Sequence, residues 1–560
     1  MTSLWLPLWA CLLAVGWLLP NHYLPWSAFH LEAWSAVAML VGSAALTFRV
    51  RRRFSWHPID WMLVALVLVP PLQYAFGLVT FLGQMVVVTS YLFGLCLAVL
   101  VGRRWEEMYS RQAANGLFLA IALASLVSVN LQLRTWLGLM QTGMFDIWSM
   151  GLSGSRPYAN IGQPNQLATL LLWGVLASAW AFQSRLVGAL ASTTMAGFFL
   201  LGVALTQSRT AWIGLVLLLA STWAWRAYWR SRALPWVASS LFLYFWVCYF
   251  AQHFLALWLD LRDDDGQLRG AIGGDLRFPA WRMLAAAAAE RPWFGYGWAE
   301  IGQAHWAVAD RFPTLFPVFG YSHNIALDLM LWLGIPLGLG VFAVLVIWYF
   351  KRLWAVNNAF DALLVMLLGV VGVHAMLEFP LHYAYFLLPV GLVVGVLTRQ
   401  ALGLRGWSLP GWTLAVGWCV GAVLTVGIVR DYFKVEDSHR AARYEAARIG
   451  TLPIGDPPEV LLLTQLRDNI NFMRYDVRAG MTQSDLDALA SVATAYPGPG
   501  RAYKVARALA LNGHPKEAGA WLQKICKITD PDQCALIQRV WSKDSEENVS
   551  IAAVPWPALN

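Results

Sequence analysis

Apolar runs of bilayer-spanning length recur along this chain from its first residues to about residue 430 of 560. A transmembrane helix needs about 20 predominantly apolar residues, because its backbone has to satisfy its own hydrogen bonds across the hydrocarbon. The runs lie near 4–20, 28–47, 61–77, 79–101, 113–132, 165–182, 187–206, 210–229, 234–256, 324–350, 360–378, 382–400 and 408–430. They predict an all-α polytopic membrane protein with about 13 transmembrane helices.

The composition supports this class of protein. Apolar residues make up 58% of the chain and charged residues only 13%, whereas soluble domains carry about a quarter charged residues. The 32 tryptophans suit a chain with many membrane–water boundaries, where indole rings are enriched. The net charge of +8 does not indicate nucleic-acid binding, because the basic residues come as short clusters between the apolar runs.

The basic clusters also predict the orientation of the chain, because cytoplasmic loops are enriched in Lys and Arg. Alternate short connections carry all of the following residues: Arg49, Arg51, Arg52, Arg53, Arg103, Arg104, Arg111, Arg185, Arg226, Arg230, Arg232, Lys351, Arg352, Arg399 and Arg405. The intervening short loops, 21–27 and 379–381, carry no Lys or Arg. We therefore predict a cytoplasmic N-terminus and a C-terminal tail on the opposite side of the membrane.

The outward face receives the 133–164 loop, the large 257–323 loop and the tail, which is soluble in composition. Within the tail, residues 501–527 predict a helix, a stop at Asn512-Gly513 and a second helix from Pro515. One such pair is similar to a tetratricopeptide unit. We predict a transmembrane domain over 1–430 and a helical, tetratricopeptide-like domain over 431–560. Cys526 and Cys534 can pair if this tail faces an oxidising compartment.

Arg209 lies at the outward end of an apolar run, in the segment TQSR. An isolated arginine at this depth is usually a side chain that reaches to the interface for water. The other Lys and Arg residues near the membrane, however, lie mainly in the loops predicted to be cytoplasmic. An anionic ligand on the outward side would explain why an arginine is found there.

Arg277 and Arg282 flank Trp281 in the large loop, within a stretch that predicts an amphipathic helix at the membrane interface. Interfacial helices commonly carry arginines on the side that faces water. Several guanidinium groups around one cavity would instead bind a diphosphate through paired hydrogen bonds, which lysine cannot match.

His323 stands directly before an apolar run, at the membrane boundary. A neutral imidazole there is a candidate general base for a hydroxyl nucleophile. A helix cap or a packing role explains the same position.

His374, Glu378 and His382 lie near the next outward turn, with His374 and Glu378 on one predicted helix face. Ionisable residues this close to a membrane are candidates for function. The pair lacks a third ligand nearby, so we predict no metal, and the acidic run at 263–265 fits a solvated loop. No nucleotide-binding motif is present, so an activated donor would have to arrive already attached to a lipid, and we predict no cofactor.

These segments, in this order, resemble the O-antigen ligase and polymerase superfamily of bacterial inner membranes. Two further segments, RPYANIGQPNQLATLLLWG from Arg156 to Gly174 and LEFPLHYAYFLLPVG from Leu377 onward, look like those of the protein O-oligosaccharyltransferases, also called pilin glycosylation ligases. The resemblance implies a GT-C-like ligase fold. It also implies transfer of an oligosaccharide from undecaprenyl diphosphate to a Ser or Thr hydroxyl of a periplasmic or pilin-like protein, with inversion and without a metal.

The resemblance also implies roles for individual residues. His323 corresponds to the base, and Arg209 and Arg277 correspond to diphosphate ligands, with Arg282 beside them. The supporting residues are Gln163, Asn165, Glu378, His382, Tyr383 and Tyr385. The implied partners are the lipid-linked donor, the acceptor protein and membrane lipids.

Two other functions compete with protein glycosylation. A ligase or polymerase of the same fold would transfer the glycan to a sugar hydroxyl of lipopolysaccharide or O-antigen. A transporter or lipid flippase would predict internal repeats and charges at mid-membrane depth, but the candidate charges lie at the ends of runs.

Overall fold

The computed structural model describes residues 4–49, 53–139, 146–151, 156–259, 261, 276–316, 318–398, 407–450 and 456–557. Within these residues the chain is helical almost throughout. Strands β1 (Phe54–Trp56) and β2 (Trp407–Leu409) form one antiparallel pair.

The helices of the first half are α1 (Trp5–Val15), α2 (Phe29–Thr47), α3 (Pro58–Ala75), α4 (Leu82–Met108), α5 (Gln112–Trp136), α6 (Pro164–Gln183), α7 (Ala189–Leu205), α8 (Arg209–Ala224) and α9 (Leu234–Trp258). Those of the second half are α10 (Arg277–Glu290), α11 (Ile301–Val308), α12 (Ile325–Leu333), α13 (Ile335–Trp354), α14 (Ala359–Ala375), α15 (Ala384–Thr398), α16 (Gly411–Ala446), α17 (Thr464–Arg474), α18 (Gln483–Ala495), α19 (Pro499–Leu511), α20 (Pro515–Ile525), α21 (Pro531–Glu547) and α22 (Val549–Ala552). Short 3-10 helices lie at Asp146–Trp148, Ala309–Arg311 and Pro380–His382.

Eight of the described helices are long and apolar enough to cross a bilayer, namely α2 to α6, α9, α13 and α16. The shorter helices α1, α7, α8, α14 and α15 are also apolar. One of these helices lies in each of the predicted runs. The prediction of an all-α, multi-pass membrane protein is confirmed.

The composition of the apolar run at 324–350 predicts a single helix, but the structure has two, α12 and α13. The run is broken at Gly334, whose φ of +83° is a left-handed value that other residues rarely adopt. A Cβ there would lie 2.2 Å from the carbonyl oxygen of Trp293. The segment that follows α10 pairs with both sides of this break, because Tyr296 N donates to Leu331 O and Ile335 N donates to Pro292 O, both at 2.7 Å.

The chain forms two compact units. The first contains residues 1–67, 90–273 and 345–426, and the second contains residues 68–89, 274–344 and 427–560. The second unit therefore combines most of the large loop with the tail. Its core is built from α18 to α22 together with Trp306 of α11, whose ring lies 4.7 Å from that of Trp521.

The tail has the predicted helix, stop and restart. Helix α19 ends at Leu511, Gly513 adopts a φ of +83°, and α20 begins at Pro515, where the missing proline N–H is not needed. Cys526 and Cys534 are joined as a disulfide, with their Cα atoms 5.1 Å apart. This bond links the end of α20 to the start of α21.

Candidate functional site

The candidate base lies on a tightly held turn of the second unit. His323 has a φ of +58°, a conformation that is uncommon for residues other than glycine and that persists only when its surroundings impose it. On one side, Ser322 N donates to the buried carboxylate of Asp328 at 2.9 Å. On the other, the Asn324 side chain accepts two backbone N–H bonds from the first turn of α12, at 3.1 and 3.2 Å. The half-buried imidazole is thus held at the N-terminus of a capped helix.

Helix α10 is bonded directly to this turn, because Trp281 Nε1 donates to Ser322 O at 2.8 Å. The predicted helix is confirmed. Its buried face consists of Ala280, Met283, Leu284, Ala287 and Ala288. Arg277 is its first residue and is half-buried, whereas Arg282 is exposed. The second unit therefore brings the two candidate arginines and the candidate base onto elements that are bonded to each other.

A second histidine anchors the chain just before the turn. His305 of α11 is 1% exposed, and its Nδ1 accepts the backbone N–H of Phe319 at 3.1 Å. The Phe319 ring lies 5.8 Å from the His305 ring and meets the His323 ring edge-on at 6.0 Å. Burial lowers the pKa of His305 to about 4, so the imidazole stays neutral and keeps its acceptor. The sequence analysis missed His305, since nothing in its short helix distinguishes it from a packing residue.

Glu300, at the start of the same helix, is a buried carboxyl group. Thr80 N donates to its Oε1 at 3.0 Å. Burial raises the pKa of Glu300 to about 7, and the bond from Thr80 opposes that rise.

His305 and Glu300 predict opposite pH dependences of stability. The His305 pKa is below its ordinary 6.5, so its contribution to the free energy of unfolding is fully present above pH 6.5 and is lost as pH falls towards 4. The whole contribution is about 3 kcal/mol. The Glu300 pKa is above its ordinary 4.5, so its contribution is present below pH 4.5 and is lost as pH rises through 7. Between pH 4.5 and 6.5 the two nearly cancel.

We therefore expect two variants to diverge from the wild type in opposite directions as pH rises from 4.5 to 6.5. His305→Asn, which keeps an acceptor for Phe319 N but does not titrate, should lose stability relative to the wild type. Glu300→Gln should gain it. Melting temperatures of the purified full-length protein across this range provide the measurement, and parallel curves for all three proteins would contradict both assignments.

Arg209 belongs to the first unit and is the first residue of α8. Its side chain is exposed, and the residue comes directly after a tight turn in which Gln207 has a φ of +51° and Ser208 caps the helix by accepting from Ala211 N at 3.3 Å. Within the described part of the chain, no carboxylate forms an ion pair with Arg209.

Asn165 and Glu378, both predicted as supporting residues, contact each other in the first unit. Asn165 Nδ2 donates to Glu378 Oε1 at 3.0 Å, and Arg156 donates to Asn165 Oδ1 at 3.3 Å. Arg156 also donates through Nε to Thr206 O at 2.8 Å, three residues before Arg209. The sequence analysis did not assign a role to Arg156.

The spacing of His374 and Glu378 predicts that they share one helix face. This prediction is wrong, because α14 ends at Ala375. Glu378 lies in the following turn, where its backbone N–H bonds to His374 O at 2.8 Å. The His374 side chain instead pairs with Thr169 Oγ1 at 2.7 Å. Within the described residues no group of three His, Cys, Asp or Glu side chains is placed to hold a metal ion.

The remaining supporting residues have different surroundings. Tyr385 is 2% exposed and is therefore a core residue. Its hydroxyl donates to Gln166 Oε1. Tyr383 stacks on Tyr385 with ring centroids 5.2 Å apart and is half-buried, as is His382. Gln163 is the half-buried residue that precedes α6 and makes no side-chain cap bond.

Comparison with known proteins finds three matching families along the chain. Residues 157–182 match "Protein glycosylation ligase", 194–342 match "O-Antigen ligase", and 362–528 match "Virulence factor membrane-bound polymerase, C-terminal". The second of these segments contains Arg209, Arg277 and His323.

Two curated proteins of Acinetobacter baylyi are similar over most of their length. The chain is 28% identical to a "General O-oligosaccharyltransferase", over 91% of this chain and 90% of that protein. It is 24% identical to a "ComP-specific O-oligosaccharyltransferase", over 69% and 70% respectively. No solved structure shows a significant match. The predicted resemblance to glycosyltransferases of the O-antigen ligase and protein glycosylation ligase type is confirmed.

Proposed function

We propose that this chain, a relative of the O-antigen ligases and protein O-oligosaccharyltransferases, transfers an oligosaccharide en bloc from undecaprenyl diphosphate to a Ser or Thr hydroxyl of a protein. The observation that carries the proposal is the turn at His323. His323 has a left-handed backbone, and the neighbouring Ser322 is held from two sides: its N–H donates to Asp328, and its carbonyl accepts from Trp281, which lies between Arg277 and Arg282 on α10.

The chemistry follows from these residue types. The acceptor hydroxyl attacks the anomeric carbon from the face opposite the diphosphate, and His323 accepts the hydroxyl proton. The bond between the anomeric carbon and the diphosphate oxygen breaks, and the electron pair leaves with the diphosphate. Guanidinium groups of Arg209, Arg277 and Arg282 stabilise that developing charge through forked hydrogen bonds. The products are a glycoprotein with an inverted anomeric linkage and free lipid diphosphate.

We propose that the protein lies in the bacterial inner membrane with its N-terminus in the cytoplasm and its tail in the periplasm. The distribution of Lys and Arg supports this orientation. The Cys526–Cys534 disulfide supports a periplasmic tail, because disulfides persist in oxidising compartments and are rare in the cytosol.

The acceptor that we propose is a pilin-like or other periplasmic protein. One relative is named a general and the other a ComP-specific O-oligosaccharyltransferase, and residues 157–182 match "Protein glycosylation ligase"; together these names support a protein as the acceptor. The match of residues 194–342 to "O-Antigen ligase" favours transfer to a lipopolysaccharide sugar as the second candidate.

The test is glycan transfer in a host that makes a lipid-linked oligosaccharide but lacks its own ligase. We expect intact-mass analysis of a co-expressed pilin-like protein to show added mass equal to one complete oligosaccharide. The same host without this chain is the control. Glycan transferred only to lipid A–core would contradict the protein acceptor and favour the O-antigen ligase activity.

A further inference from the structure

We propose that Arg156, Asn165 and Glu378 form a polar relay whose task is to hold the turn that presents Arg209. This inference rests on the proposed function, since it deepens the role of Arg209 as a diphosphate ligand. All four residues lie in the first unit.

The turn between α7 and α8 needs an external support. It consists of Thr206, Gln207 and Ser208, and its middle residue has a left-handed φ of +51°, which costs free energy in a residue other than glycine. Thr206 is fully buried at the C-terminus of α7, where carbonyl groups lack helical partners. Arg156 Nε donates to the Thr206 carbonyl at 2.8 Å, and a cation is favoured at this end of a helix. A change at Arg156 therefore acts directly on the backbone that leads into Arg209.

Asn165 connects Arg156 to a buried carboxyl group, that of Glu378. Its Oδ1 accepts from Arg156 at 3.3 Å while its Nδ2 donates to Glu378 at 3.0 Å, so the two neighbours define the orientation of the amide. Glu378 is only 5% exposed. A buried carboxyl group needs hydrogen bonds, and the Asn165 amide supplies one while its oxygen accepts from Arg156.

The relay also spans the chain. Arg156 lies just before residues 157–182, Asn165 lies in the first turn of α6, and Glu378 lies in the turn after α14. Their hydrogen bonds connect these three places to the turn between α7 and α8. None of the three relay residues has to touch the substrate. They are positioning residues, and the loss of any of them should act through Arg209.

A double-mutant cycle on the purified full-length protein tests this role, with undecaprenyl diphosphate as the probe and its dissociation constant as the readout. Asn165→Leu keeps the branched shape of the side chain and removes both bonds, and we expect it to weaken binding about tenfold. Arg209→Ala should weaken binding about 30-fold, since it removes hydrogen bonds to a charged group. The double variant should bind no more weakly than Arg209→Ala, because the relay has nothing left to position.

Two further variants make the test specific. Glu378→Gln keeps an oxygen acceptor for Asn165 and should bind within about threefold of the wild type, whereas Glu378→Leu should behave like Asn165→Leu. Asn115→Leu is the matched control, because it breaks a comparable part-buried bond, from Trp180 Nε1 at 2.9 Å, and should leave the dissociation constant unchanged.

The possible outcomes separate this inference from the proposed function. If Arg209→Ala weakens binding and Asn165→Leu has no effect, or the two effects simply multiply, the relay does not act through Arg209 and the inference is wrong. If the wild type does not bind undecaprenyl diphosphate, or Arg209→Ala binds it normally, the proposed diphosphate site itself is wrong.

Discussion

Replacing His323 should reduce glycan transfer by about 10²–10⁴-fold, the usual contribution of a positioned general base. Asparagine is the most informative replacement. His323 has a φ of +58°, which asparagine tolerates much better than alanine, so His323→Asn removes the base without straining the turn. We expect the melting temperature and membrane insertion of this variant to match the wild type while its turnover is lost.

The control for this variant is His514→Ala, which removes a histidine from the tail, where it lies 3.4 Å from Glu517. It should transfer glycan at the wild-type rate. A second control is Asp328→Asn, which keeps an oxygen acceptor for Ser322 N and should retain most of the activity. Near-normal transfer by His323→Asn would refute the assignment of the base.

Replacing the candidate diphosphate ligands should also have large effects, because they act where negative charge develops. We expect Arg209→Ala and Arg277→Ala each to lower turnover by about 10²–10³-fold, the loss that is typical when one such donor is removed. Arg277→Lys should be impaired as well, since an ammonium group keeps the charge but cannot make the forked contact with a diphosphate. Steady-state transfer to a purified acceptor, with the donor varied, measures these effects.

The matched control for Arg209 is Arg226→Ala. Arg226 is an exposed arginine just beyond the opposite end of α8, so its loss tests for a general effect of charge on that helix. It should leave transfer unchanged. Equal losses in Arg226→Ala and Arg209→Ala would mean that the effect is one of charge or folding and not of diphosphate binding.

The sequence predicts the transmembrane helices well because both of the required properties, apolar composition and length, are read along one segment. The break at Gly334 shows the limit of this reasoning. Residues on both sides of it are strongly apolar, and what interrupts the helix is the backbone of Pro292 to Tyr296, which pairs with the interrupted turns. The same limit explains the wrong pairing of His374 and Glu378, whose spacing fits a helix that in fact ends at Ala375.

The candidate site divides in the same way. Chemistry-bearing residues such as His323 and Arg209 stand out in the sequence because their ionisable side chains fall at the outward ends of apolar runs. The residues that hold them do not. The roles of Trp281, Asp328 and Arg156 become visible only from their bonds at 2.8–2.9 Å to Ser322 and Thr206.

The amino-acid sequence by itself therefore determined the class of protein, its succession of apolar helices and the residue types that are available for transfer chemistry. These follow from hydrophobicity, charge and local spacing, which are properties of contiguous segments. Only the tertiary structure decided which backbone carries each functional group and in which conformation. The left-handed turn at His323 and the relay from Glu378 to Thr206 depend on hydrogen bonds between distant parts of the chain, and no local pattern encodes such a bond.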